Sequence, residues 1–137
     1  MDENIHIPYN DRVTPEWITD LLDDEVFVFG SNLEGLHGGG AARLALKWGA
    51  IMGQGVGLQG QTYAIPTMHG GVSEIKPYID EFIAFAVLHP EKKFLVTEIG
   101  CGIAGFSPEE IAPLFERAME VENIYLPLRF QEILFSP

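Results

Sequence analysis

The chain is short of basic residues, of cysteine and of long apolar runs, and each shortage narrows what it can do. Lys and Arg number 8 against 20 Asp and Glu, a formal charge of −12. Such a surface repels nucleic-acid phosphates and acidic membrane faces. The few basic residues do not cluster; Lys92-Lys93 is the only adjacent pair. Nucleic acid is therefore not expected as a partner. A single cysteine, Cys101, excludes an intramolecular disulfide and fits a reducing compartment. No apolar run approaches the roughly 20 residues that span a bilayer, so no membrane role is expected. The opening stretch MDENIHIPYNDRV is acidic and polar, unlike a secretory signal. A cytoplasmic location is the expectation. His6, His69 and His89 lack metal-ligand spacing, and no Cys or His pair forms a zinc signature. Neither a metal nor a cofactor is expected.

What is present points to one α/β domain. The chain has 137 residues, 47% of them hydrophobic, with no linker, repeat or low-complexity segment. Residues 1–12 read as a polar lead-in, with a short edge strand near Ile5–Ile7. Thr14-Pro15-Glu16 reads as a helix start, with Thr as N-cap and Pro in the first turn, for a helix to about Leu22. Apolar runs predict strands at 26–30, 62–66, 94–99 and 123–127. Helices are predicted over 41–48, from Ser73 or Glu74 to His89, from Pro108 to about Val121, and over 130–135. Strands alternating with helices imply a mostly parallel sheet between helical layers. Ligands of such sheets bind beyond the carboxyl ends of the strands.

Two glycine-rich turns leave the carboxyl ends of predicted strands. The first runs from Gly30 through Asn32 and His37 to Gly38-Gly39-Gly40-Ala41-Ala42; the second is Gly100-Cys101-Gly102-Ile103-Ala104-Gly105-Phe106. Glycine lets backbone N–H groups approach a ligand with no Cβ in the way. With a helix N-terminus behind it, each turn suits an anion, and phosphate above all. Two such turns suit a diphosphate. The alternative is tight strand-to-helix packing with no ligand. Asn32 is a candidate ligand contact or a turn-former. His37 is the only imidazole in either turn, and so a candidate acid, base or phosphate contact. Cys101 sits where a thiol pKa can fall, although its backbone N–H is the stronger reason for its place.

The segments FGSNLEGLHGGGAARLA and IGCGIAGFSPEE resemble the two ligand loops of the macrodomain superfamily, whose members bind ADP-ribose. The resemblance covers about residues 24–128 in order and spacing. More narrowly, the chain is similar to small macrodomain-like proteins of bacteria and their phages. The resemblance implies a three-layer α/β/α fold with a mostly parallel mixed sheet and a small-molecule ligand such as ADP-ribose. It implies that Asn32 contacts the distal ribose. Gly38, Gly39, Gly40 and Ala41 would approach that ribose and the proximal phosphate. Gly100, Cys101, Gly102, Ile103, Ala104 and Gly105 would wrap the diphosphate, with Phe106 bordering the distal ribose. Asp11 and Asp24 are the candidates for a carboxylate at the adenine amino group. The catalytic carboxylates of the hydrolytic branches fall on other residue types here: Ala42 where an Asp follows the glycines, and Gln59 and Ala104 where a Lys and an Asp act together. Binding is thus the leading reading. A hydrolase of ADP-ribose phosphate or of an ADP-ribosyl linkage, using Asn32 and His37, is the alternative. A ligand-free interaction protein is the third.

Overall fold

A computed structural model of the chain describes residues 10–135, so the expected strand near Ile5–Ile7 lies outside the described residues. Six strands form one sheet: β1 (Val13–Thr14), β2 (Glu25–Ser31), β3 (Gly57–Gln59), β4 (Thr62–Pro66), β5 (Lys93–Val96) and β6 (Ile124–Pro127), in the order β1-β6-β5-β2-β4-β3. Every pairing is parallel except β3 with β4. Four helices accompany the sheet: α1 (Gly40–Ala45), α2 (Val72–Val87), α3 (Pro108–Ile111) and α4 (Leu128–Leu134). The chain has the α/β fold read from its sequence.

β2 explains the layering. Its alternating side chains point to opposite faces of the sheet. Val26 and Val28 enter a large core with α2, α4 and the segment between α3 and β6. Phe27 and Phe29 enter a smaller core with Ala42, Ala45 and Ala64. The strand is thus apolar on both sides, as a central parallel strand must be. The larger core is built around aromatic edges. Phe82 of α2 meets Tyr63, Phe94 and Phe115 with ring centroids 5.1, 5.5 and 6.5 Å away, all in edge-on geometry. α2 is the longest helix, and its buried residues Ile75, Ile79, Phe82, Ile83 and Ala86 follow one helical stripe.

Two predicted helices are corrected. The stretch from Thr14 to Leu22 is not helical. Thr14 closes β1, paired with Pro127, and residues 15–22 run as an irregular cover. The local helix-start signal loses to long-range bonding: the Arg12 guanidinium donates to the carbonyls of Met119 and Ile124 at 3.0 and 3.2 Å, which aligns β1 on β6. An eight-residue stretch has too little helical stability of its own to resist that pull. Its Ile18 and Leu21 still pack on the smaller core. The second correction concerns residues 108–121. Only Pro108–Ile111 is α-helical, and Ala112–Glu120 continues as a 3₁₀ helix. Pro113 supplies no backbone N–H for an α-type bond, which favours the tighter turn. α1 likewise gives way to a 3₁₀ turn at Leu46–Trp48.

Because Phe82 is fully buried at the meeting point of three rings, Phe82→Ala should lower unfolding stability by about 3–5 kcal/mol. Chemical denaturation monitored by circular dichroism measures this. A loss below about 1 kcal/mol would mean that the core closes without this ring.

Candidate functional site

β2 and β5 are neighbours and parallel, so the two glycine-rich turns leave the same edge of the sheet side by side. Their strand ends nearly touch: a Cβ placed on Gly30 would lie 3.3 Å from the backbone nitrogen of Gly100. Between the turns lies a cleft of about 540 Å³. From the first turn it is lined by Asn32, Leu36, Gly38, Gly39, Gly40 and Ala41, and from the second by Gly100, Gly102, Ile103 and Ala104. Its floor also includes Ser31, Thr67 and Thr97, the residues at or just beyond the ends of β2, β4 and β5.

The second turn folds around a few internal bonds. The Phe106 N–H donates to the Gly100 carbonyl at 2.8 Å, the Gly105 N–H to Gly102 at 3.0 Å and the Cys101 N–H to Glu98 at 3.2 Å. The N–H groups of Gly102, Ile103 and Ala104 donate to no acceptor among the described residues. Those of Gly38, Gly39 and Gly40 are likewise without one. Each turn therefore presents a run of three free backbone donors. Successive free N–H groups in a turn form an anion-binding concavity without any charged side chain.

The physical source of that concavity differs from the sequence expectation. α3 does not open its N-terminus to the cleft. Ser107 Oγ accepts from the Glu110 N–H at 3.2 Å, and the Glu110 carboxylate accepts from the Ser107 N–H at 2.9 Å. This capping box satisfies the helix end. α1 has only six residues, so its dipole is small. The cleft rests on loop backbone, with little help from helix ends.

The glycines separate into two groups. Gly35 is demanded by the fold, since its φ is +73° and a Cβ there would lie 2.3 Å from the Gln54 nitrogen. Gly38 and Gly102 are different. Neither has a left-handed φ, and a Cβ on either would meet nothing within 4 Å. Nothing in the folded chain alone requires glycine at these two positions, and both border the cleft.

Several candidates stand elsewhere. His37 is 1% exposed and does not line the cleft. Its Nε2 donates to the Gln54 carbonyl at 3.1 Å, and its ring stands edge-on to Phe29 with centroids 5.3 Å apart. The imidazole thus pins the first turn to the 51–55 loop, whereas the sequence offered it as a candidate acid, base or phosphate contact. Asn32 lines the cleft while closing its own loop: Oδ1 accepts from the Leu36 N–H at 2.8 Å and Nδ2 donates to the Leu36 carbonyl at 3.1 Å. Phe106 packs against the larger core, and Cys101, Gly105 and Phe106 are not cleft-lining residues. Gln59 is buried and braces the 51–57 loop, accepting from the Ile51 N–H at 2.7 Å and donating to the Gln54 carbonyl at 3.0 Å. Asp24 precedes β2 and so sits at the opposite edge of the sheet from the cleft. Asp11 does not line it either.

A second hollow, of about 740 Å³, adjoins the cleft and shares Ala41, Thr97 and Glu98 with it. It lies toward β6 and β1, with an apolar floor from Ile18, Phe27 and Leu44 and with Trp17 at its side, 83% exposed. Glu16, Glu132 and Arg129 also line it, and Arg129 Nε lies 3.9 Å from the Glu98 carboxylate. Thr14, buried beside this hollow, has an Oγ1 with no hydrogen-bond partner among the described residues. Sequence reasoning assigned Glu16 to helix capping and so missed it; its place depends on β1 ending at Thr14. Ser31 and Thr67 carried a readable signal, because each closes or follows a predicted strand at its carboxyl end. Among the described residues, no group of three or more His, Cys, Asp or Glu side chains is arranged to hold a metal ion. Among the described residues no helix is long and apolar enough to cross a membrane. No family model, curated protein or solved structure matches the chain.

Burial, and secondarily the nearby Glu98 carboxylate, push the Cys101 thiol up to about 11. The helix-start position that the sequence offered as a reason for a lowered pKa is outweighed by both effects. Below pH 9 the residue is therefore a protonated thiol. Alkylation by iodoacetamide at pH 8 should run roughly tenfold slower than that of a free cysteine, with the rate climbing as pH approaches 11. Mass spectrometry of timed aliquots measures it, and full labelling at the free-cysteine rate would contradict the burial.

Proposed function

We propose that this chain is a macrodomain-like protein that binds a nucleotide diphosphate of the ADP-ribose type along the carboxyl edge of its sheet. The observation that carries this reading is Gly38 and Gly102: two cleft-lining glycines with no conformational or packing need in the folded chain. A ligand pressed against both turns supplies the missing reason, since a Cβ at either position would stand where its oxygens sit. The six free N–H groups of the two turns would hold the diphosphate. The adjoining hollow, apolar at its floor and flanked by Trp17, would take the nucleoside. Two of its carboxylates, Glu16 and Glu132, are acceptors for an exocyclic amino group. The −12 charge of the chain does not preclude this, because backbone donors act at contact distance while distant charge is screened within about 8–10 Å. His37, bonded beneath the first turn, has no part in this proposal.

Isothermal titration with ADP-ribose, with ADP and AMP as controls, is the direct test. Micromolar ADP-ribose binding with clearly weaker AMP is expected. Gly102→Ala should keep or slightly raise thermal stability, by up to about 1 kcal/mol, because its backbone tolerates a Cβ. The same change should weaken ADP-ribose at least tenfold. Gly39→Glu, whose φ of −159° suits any residue, should abolish binding by filling the cleft with a like charge. Unchanged affinity in both variants would refute the site.

Glu98 is the one carboxylate shared by both hollows. At about 6 Å in water a pair of unit charges interacts by about 0.7 kcal/mol. Glu98→Gln should therefore tighten a diphosphate ligand by roughly threefold, read in the same titration. Weaker binding would instead make Glu98 a ligand contact.

A further inference from the structure

Pro15, Glu16 and Trp17 form a short bow beside the second hollow, and all three line it. The bow is fixed at both feet. Thr14 pairs with Pro127 across β1 and β6, and Ile18 packs on the smaller core. Just beyond, the Thr19 carbonyl accepts from Lys47 Nζ at 2.9 Å. Between these anchors the backbone is loosely held: among the described residues, no N–H from Glu16 to Leu21 donates a hydrogen bond. Trp17, on the bow, is the most exposed large apolar side chain of the described residues. One such side chain in water is ordinary. This one stands at a hollow whose lining also includes Ile18, Phe27, Leu44 of α1 and the exposed Leu128 of α4, so a single ligand there reaches all of them. Thr14, at the foot of the bow, keeps a buried Oγ1 without a partner among the described residues. Bonding within the chain thus leaves this corner incomplete. The hollow joins the glycine-turn cleft at Ala41, Thr97 and Glu98, so a group esterified to a diphosphate in the cleft extends into it.

We infer that Trp17 selects for an aromatic base: when a nucleotide occupies the site, the bow turns the indole over the second hollow and holds the base between that ring and the floor of Ile18, Phe27 and Leu44. The inference rests on the nucleotide reading above and adds the residue that grips the base and the movement that engages it. Closing the bow removes an indole face and a base face from water together, and every base offers such a face. The movement breaks no backbone hydrogen bond of residues 16 and 17 with the described residues. A ligand that ends at the diphosphate gains nothing from it.

The test titrates ADP-ribose into the full chain, by calorimetry and by tryptophan emission, with inorganic diphosphate as the probe that has no base. Trp17→Ala should weaken ADP-ribose at least fivefold, and Trp17→Phe, which keeps an aromatic face, by no more than about twofold. A thermal melt establishes that both variants fold. ADP-ribose should quench the emission of the wild type and leave that of Trp17→Phe, whose remaining indole is Trp48, unchanged. Inorganic diphosphate should quench neither. Wild-type affinity in Trp17→Ala overturns the inference while keeping the site. An equal loss in both variants, or quenching by inorganic diphosphate, overturns stacking as the cause. Absence of heat with ADP-ribose removes the nucleotide reading, and the inference with it.

Discussion

The whole cleft depends on the parallel pairing of β2 with β5. Val28 opposite Val96 and Val26 opposite Phe94 bring two strand ends level, and the turns that leave them become the two walls of one hollow. An antiparallel arrangement would send those turns to opposite edges of the sheet. β2 can hold this central place because it is apolar on both faces, with valines to one core and phenylalanines to the other. The site is thus a consequence of burial, although none of its working parts is a buried side chain.

Those working parts are backbone. Internal hydrogen bonds take up the N–H groups of Cys101, Gly105 and Phe106 and leave those of Gly102, Ile103 and Ala104 pointing nowhere within the chain. The side chains nearby act as fixtures. His37 and Ser31 bind the carbonyls of Gln54 and Gly55, tying the first turn to the 51–55 loop. Asn32 closes the loop that carries Leu36. The proposed site would recognise shape and hydrogen-bond geometry ahead of charge, which suits a protein with few cations to offer.

Much of this was legible in the sequence. The apolar runs located β2, β4, β5 and β6 to within a residue or three, since burial on both faces leaves a mark that needs no knowledge of partners. The spacing of Ile75, Ile79, Phe82 and Ile83 located α2 for the same reason. The glycine turns were visible as composition, and the cleft does form between them. What could not be read was whatever depended on distant partners. Thr14-Pro15-Glu16 carries a sound local helix signal, yet the Arg12 bonds to Met119 and Ile124 decide the matter from more than 100 residues away. His37 looked available because sequence shows no Phe29 ring beside it. Pro113, by contrast, was a local signal for the change of helix type.

The two ends of the sheet bear on how this molecule meets others. β1 has two residues and is followed by Pro15; β3 has three and begins at Gly57, with a φ of +92°. Among the described residues neither end offers a long row of unpaired backbone, so a foreign strand finds little there to zip onto. A mostly apolar sheet is in this way kept from growing sideways into aggregates. What remains open for recognition is the edge at which the strands end.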